Sequence, residues 1–286
     1  MLSGRFAPSP TGPLHMGSLV TALASFCDIK QRGGDWFVRI DDIDPLRIDP
    51  NALEHITKSL AAHGLSGDGP MQLQSHRLTE YAAARDQLAD LCYFCNCSRK
   101  QLQGGRLYPG YCRHKQTFAP DHAVRVTADH KPRQFLDRHK GPYPFVANEH
   151  FGDFIIWRRD DLVTYHLATA YDDGHTHSHV LRGEDLFEMT APQLFLMEKL
   201  GLNPPEYTHI PVLAFPDGTK LSKRTHAPAL NTATPEANLR NALHLLGQQP
   251  PKATFSVGQW LDWAITYWRF DAIPQALAPF SEADYD

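Results

Sequence analysis

No stretch of this sequence is apolar for long enough to span a membrane, and its first residues lack the basic-then-apolar run of a secretory signal, so a soluble, cytoplasmic protein is expected. A charge excess is missing too. The 28 Lys and Arg stand against 32 Asp and Glu, a net charge of −4, which excludes a protein that coats nucleic acid by bulk charge. Any polyanion must be met by local patches. Cysteine is scarce, five in 286 residues, and in a cytoplasmic chain these thiols are not a disulfide framework. Internal repeats and low-complexity tracts are absent. What remains is an ordinary globular composition, 42% hydrophobic and 21% charged, in a chain long enough for two domains and a sizeable core.

The chain is organised around its first turn. Arg5-Phe6-Ala7-Pro8-Ser9-Pro10-Thr11-Gly12-Pro13-Leu14-His15-Met16-Gly17-Ser18 opens as a strand, passes through prolines and glycine that forbid regular structure, and ends where a helix begins. The unpaired N–H groups and positive dipole end of that helix make a phosphate-binding geometry. Gly17 lets a base or phosphate approach the backbone, and His15 and Ser18 flank the gap. A strand, turn and helix with no ligand would look the same on its own. Lys220-Leu221-Ser222-Lys223-Arg224, after the Asp217-Gly218 turn, would equally be a solvated basic loop by itself. Together and in this order they resemble the two signatures of class I aminoacyl-tRNA synthetases, one cradling ATP and the other bringing a lysine to its phosphates.

Leu19, Leu23, Phe26 and Cys27 share a helical face ended by Gly33-Gly34, so Cys27 reads as core. Residues 36–40 form a strand that delivers Asp41-Asp42-Ile43-Asp44 at its carboxyl end, where ligands collect in open α/β sheets. Asp49 as N-cap and Pro50 start a second helix with Leu53, Ile56 and Leu60 on one face. Strand, helix, strand, helix predicts an α/β, doubly wound parallel sheet of Rossmann type. A helix is expected from about His76 to Phe94, with Cys92 on its buried face. Strands are expected at 123–126 and 154–157, and Val180-Leu181 ends a strand that releases Arg182-Gly183-Glu184-Asp185 at the same ligand edge. His175, His177 and His179 alternate as on one strand face and read as a polar strand end. Helices near 235–246 and 257–270 suggest a small terminal subdomain. The organisation expected is a catalytic domain of 1–70 and 160–230, an insertion of 71–159 and a C-terminal helical subdomain of 231–286.

Cys95, Cys97 and Cys112 lie on glycine-rich chain with little core to bury them. Partly buried free thiols are one reading; a tetrahedral structural zinc, one per chain, is the other, and it would staple a loop unable to fold alone. On ligand chemistry His114 is the favoured fourth donor.

If the site activates a carboxylic acid with ATP, the substrate carboxylate is already a nucleophile, so no side chain need act as base. Catalysis is then positioning and charge neutralisation by His15, helix N–H groups, Lys220, Lys223 and magnesium. Arg5 and Arg182 exceed what one carboxylate requires, which points to a dicarboxylic amino acid; Asp41 would pair with its ammonium, and Tyr165 borders the same pocket.

The blocks Arg5 to Gly12, Val38 to Asp44, His179 to Asp185 and Lys220 to Lys223 resemble the glutamyl-tRNA synthetase group. The chain ends where those enzymes continue into a helical anticodon-binding region. That, with Cys95-x-Cys97 and Tyr108-x₃-Cys112, is similar to the glutamyl-Q tRNA(Asp) synthetase family. Members of that family activate L-glutamate without tRNA and pass it to the queuosine base of tRNA(Asp). The resemblance implies that Arg5, Phe6, Ala7, Pro8, Ser9, Asp41, Tyr165 and Arg182 hold glutamate, and that Lys223 contacts ATP. It further implies zinc on Cys95, Cys97, Tyr108 and Cys112, with Tyr108 replacing His114; a monomer is expected. Asp41 stands where the family has the longer Glu, and Arg224 follows the lysine where Ser or Gln is commoner. The rival readings are a minimal glutamyl-tRNA synthetase charging a 3′ end and a nucleotidyltransferase of the same fold.

Overall fold

The computed structural model describes residues 2–98, 100–102, 107–115, 121–219, 221, 227–277 and 279; Lys220 and Lys223 lie outside them. In chain order the elements begin with β1 (Ser3–Phe6), α1 (Met16–Gln31), β2 (Asp35–Ile40), α2 (Ala52–Ala62), β3 (Gln72–Leu73) and α3 (Leu78–Gln87). Next come β4 (Cys92–Cys95), β5 (Ala123–Val126), β6 (Pro132–Asp137), β7 (Gly141–Val146), α4 (Ala147–His150) and β8 (Phe154–Trp157). The chain continues through α5 (Tyr165–Thr176), β9 (His179–Gly183), α6 (Phe187–Leu200), β10 (Glu206–Ile210), α7 (Pro235–Leu245) and α8 (Val257–Tyr267). These fall into two compact units, one of Met1–Leu73, His177–Phe187 and Tyr207–Asp286, the other of Gln74–Thr176 and Glu188–Glu206.

The first unit is the parallel α/β layer that the alternation of strand and helix predicts. β1 runs parallel to β2 with Arg5 beside Phe37, and β2 runs parallel to β3. β9 lies alongside β1, with β10 as its neighbour. α1 buries Leu19, Leu23 and Cys27, and Ser25 Oγ accepts the Trp36 Nε1–H at 2.9 Å, tying helix to sheet. α7 and α8 pack on α1, so Leu239, Leu243, Trp260 and Leu261 join Leu19, Ile56 and Leu60 in one core. Such burial contributes roughly 1.5–3 kcal/mol per large side chain. The second helix starts later than its sequence predicts: Asp49 Oδ1 accepts the Asn51 N–H at 2.9 Å in a local turn, and Asn51 becomes the N-cap.

The second unit carries the antiparallel sheet β4–β5–β8 and the hairpin β6–β7. Here the expected helix over 76–94 is corrected. It ends at Gln87, and Cys92 to Cys95 pair with Ala123 to Val126 as a strand, because two aromatic residues gain more from that ladder than from one more helical turn. Cys92 therefore stands on a sheet face. The histidine triplet is corrected as well: His175 lies in the last turn of α5, His177 is buried in the link, and His179 begins β9, so they share no strand face.

Candidate functional site

His15 is the N-cap of α1, in extended backbone, and shares a capping box with Ser18. The Ser18 N–H donates to His15 Nδ1 at 3.3 Å, and the His15 N–H donates to Ser18 Oγ at 3.5 Å. With Nδ1 accepting, a neutral imidazole carries its proton on Nε2. A Cβ on Gly17 would stand 3.2 Å from the His15 ring and 3.5 Å from Leu213 Cβ, so glycine keeps the ring and the 213 segment close. Leu221 N–H donates to Leu213 O at 2.8 Å, and Phe215 N–H to Thr219 O at 2.8 Å. The stem of the lysine loop thus begins beside the start of α1.

Of the residues expected to hold an amino acid, Arg5, Phe6, Pro8, Asp41 and Arg182 are buried, Ala7 is half-buried and Ser9 is exposed. Asp41 N–H donates to Pro8 O at 3.1 Å, and Asp49 N–H to Pro10 O at 2.9 Å, which fastens the proline turn to the chain leaving β2. Asp41 is gripped by Arg39, with Nε to Oδ1 at 2.7 Å and Nη2 to Oδ2 at 3.3 Å, both side chains out of solvent. Arg182 is 3% exposed, like Arg5. Its Nε–H donates to His209 Nε2 at 2.9 Å, its Nη2 to Leu186 O at 3.4 Å, and its Cζ sits 5.0 Å from the Tyr207 ring centroid. Tyr207 stacks on His209 with rings 5.9 Å apart. A buried guanidinium fixed this way is a pre-aimed donor for an anion. Tyr165 opens α5 in the second unit. Sequence reasoning missed Arg39 and His209. Alternation along the strands, 39 with 41 and 207 with 209, was the available signal.

In the second unit, Cys95, Cys97 and Cys112 bring their sulfurs within 4.8 Å of one another. Cys97 and Cys112 Sγ are 3.6 Å apart, and Tyr108 Oη lies 3.5 Å from Cys95 Sγ and 3.4 Å from Cys97 Sγ. Thiolates about 2.3 Å from a tetrahedral ion stand about 3.8 Å apart, and a phenolate oxygen at about 2.0 Å stands about 3.5 Å from each. These three separations match those of ligands on one ion, and the three sulfurs lie close enough together to hold one. His114 is exposed and is not part of the group.

Burial alone would raise the Cys112 thiol, but hydrogen bonds from Tyr108 and its other neighbours outweigh it and hold it at about 7. Cys95 is likewise lowered against its burial by Tyr108 and Arg125. The Arg125 guanidinium lies 3.9 Å from the Tyr108 ring centroid. Behind the loop, the fully buried Asp153 carboxylate accepts from Tyr93 Oη at 2.6 Å, from Arg113 Nε and Nη2 at 2.7 and 2.9 Å, and from Ala128 N–H at 2.9 Å. Burial would push that carboxyl up; the Arg113 and Tyr93 hydrogen bonds outweigh it and keep it below its ordinary value.

Residues 1–254 match the family described as tRNA synthetases class I (E and Q), catalytic domain. The chain is 42% identical to a glutamyl-Q tRNA(Asp) synthetase of Pseudomonas aeruginosa over 278 residues, 95% of each chain. It is also 42% identical to one from Escherichia coli O157:H7, covering 96% of this chain and 91% of that one. Its backbone superposes on a glutamate tRNA ligase from Elizabethkingia meningosepticum, solved with its amino acid, with a TM-score of 0.80 at 25% identity, covering 99% of this chain and 68% of that one.

Proposed function

Since the chain belongs to the class I glutamyl and glutaminyl tRNA synthetase family, within its glutamyl-Q tRNA(Asp) synthetases, we propose that it activates L-glutamate with ATP and passes it to the queuosine base of tRNA(Asp). In the first step the α-carboxylate of glutamate attacks the α-phosphorus in line, giving glutamyl-adenylate and releasing pyrophosphate. Arg182, held by His209, meets one glutamate carboxylate, and Arg5 contributes a second buried positive charge on the neighbouring strand. Asp41, fixed by Arg39, meets the ammonium, and Phe6, Ala7, Pro8 and Ser9 complete the amino-acid site on that unit, while Tyr165 is assigned to glutamate by resemblance alone. His15, Gly17 and Ser18 shape the helix start that receives ATP. Lys220 and Lys223, together with the magnesium that accompanies ATP, neutralise its phosphates.

One observation carries the chemistry: the buried Arg182 is anchored by neutral acceptors at the carboxyl end of a strand beside β1, the strand that leads into the glycine-gapped turn. The end-to-end likeness to glutamyl-Q tRNA(Asp) synthetases supports the acceptor. Zinc suits the three thiolates of Cys95, Cys97 and Cys112, where it would be a structural staple, and Tyr108, whose oxygen stands beside two of the sulfurs, is the fourth donor in this reading. We read the enzyme as a monomer, and as cytoplasmic because its five cysteines are all free, as a thiolate site in a reducing compartment requires; no helix among the described residues is long and apolar enough to cross a membrane.

The test is glutamate-dependent exchange of pyrophosphate into ATP without RNA, followed by offering tRNA(Asp) with and without queuosine. Exchange without RNA, then glutamate transfer only to the queuosine form, is expected. Charging of unmodified tRNA(Glu) instead would make the chain a minimal synthetase, and no exchange would end the proposal.

A further inference from the structure

The second unit holds a cavity of about 650 Å³ to which none of the residues assigned above contributes. Cys92 and Phe94 line it, so it opens on the face of β4 opposite to Cys95. Trp157, at the end of β8, is its platform. The indole Nε1–H donates to Asp161 Oδ1 at 2.8 Å, which fixes the ring plane. The Arg85 guanidinium lies over that ring, 4.6 Å from its centroid, and is itself steadied by Asp86, which accepts from Nε at 2.8 Å. Asp90 and Arg159 are exposed at the same opening.

Each part of this lining narrows the ligand. The volume lies in the range of small-molecule and nucleotide sites. A guanidinium lying over tryptophan makes an aromatic and cationic surface, and nucleobases stack on aromatic rings and guanidinium planes in single-stranded RNA recognition. Among the described residues that line it, four aspartates stand against three arginines, so a multiply charged phosphate is unwelcome inside. Carboxylates instead accept from N–H groups. A guanine edge offers adjacent ring and amino donors, adenine and cytosine offer one amino group, and uracil offers mostly acceptors. A singly charged phosphodiester can stay at the rim beside Arg159.

We propose that this cavity takes one unpaired nucleobase of an RNA partner, guanine in preference to the others, stacked on the Trp157–Arg85 platform. The inference rests on the reading that RNA is the acceptor. Its source is a strand and not a free nucleotide, because the terminal phosphate of a mononucleotide carries the extra charge that the exposed Asp90 opposes.

Binding of labelled trinucleotides UGU, UAU, UCU and UUU to the full chain, read by fluorescence anisotropy, tests it, with GMP as the mononucleotide arm. UGU is expected to bind most tightly and UUU most weakly. Arg85→Ala should weaken all four by roughly tenfold or more, the value of one stacked base. Asp90→Asn should bring UGU down towards UUU and leave UUU unchanged. Neither residue belongs to the activation machinery, so pyrophosphate exchange without RNA stays at the wild-type level in both variants and shows that they fold. Wild-type affinity for UGU in Arg85→Ala, no preference for UGU in the parent, or GMP binding as tightly as UGU would each overturn the proposal. A parent without exchange would sink the proposed function alone, since the trinucleotide series still decides the cavity.

Discussion

His209 is the residue through which the amino-acid site can be tested without touching a group that meets substrate. Its Nε2 accepts the Arg182 Nε–H at 2.9 Å, and it is fully buried between Tyr207 and Phe187, the latter 5.1 Å away edge-on. His209→Leu keeps bulk and removes the acceptor. A hydrogen bond to a charged group contributes roughly 1.5–3 kcal/mol, about a ten- to hundredfold change in an equilibrium. The Leu186 carbonyl and the Tyr207 ring still hold the guanidinium, which puts the expected effect at the lower end. The KM for glutamate in pyrophosphate exchange should therefore rise about tenfold, with the KM for ATP unchanged. His209→Gln returns an acceptor and should recover most of the loss. An unchanged glutamate KM in a folded His209→Leu protein refutes the assignment of Arg182 as the carboxylate donor.

Three further perturbations have defined outcomes. Gly17→Ala places a methyl 3.2 Å from the His15 ring, displacing it from the Ser18 cap. Exchange should fall more than tenfold while stability drops by only about 1 kcal/mol, the value of one cap; an active Gly17→Ala enzyme contradicts the phosphate gap. Tyr108→Phe should weaken zinc retention against a chelator, and His114→Ala should leave it alone, with metal content per chain as the readout; the reverse pattern assigns the fourth ligand to His114. His63, buried, donates from Nδ1 to Ser59 O at 2.7 Å and leaves Nε2 to accept from Asn238 Nδ2 at 3.0 Å. Burial lowers its pKa. The stability this gives is complete above the unfolded value near 6.5 and is lost as pH falls below it towards the folded value. Asn238→Ala, which frees Nε2, should flatten that acid limb of a denaturation profile; an unchanged pH slope excludes His63 as its source.

What was legible in the sequence is what local chemistry dictates. Prolines and Gly17 leave the chain from Pro8 to Ser18 few conformations, Arg5 and Arg182 lie near the carboxyl ends of short strands, and Asp41 follows one. Three thiols close together in the sequence pointed to a possible metal site, although Cys95 proves to end β4, and Tyr108 over His114 came from resemblance; its oxygen stands 3.5 and 3.4 Å from two of the sulfurs. Pairings between distant segments stayed hidden. Nothing near Arg182 names His209 as its acceptor, and the apolar spacing through Cys92 reads as helix until Ala123 to Val126 arrive to pair with it. His175, His177 and His179 misled for the same reason: alternation implies a strand only where a neighbouring strand is present to be bonded.

Asp153 has a consequence for how the cysteine loop ages. One carboxylate fastens Arg113, the neighbour of Cys112, to Tyr93 and to the backbone at Ala128, while its own carbonyl receives Arg125 Nη1 at 2.9 Å. The knuckle is thus moulded from behind by bonds that involve no ion. Were the cysteines to hold an ion, its removal should leave the mould standing, ready to be refilled without the polypeptide unfolding.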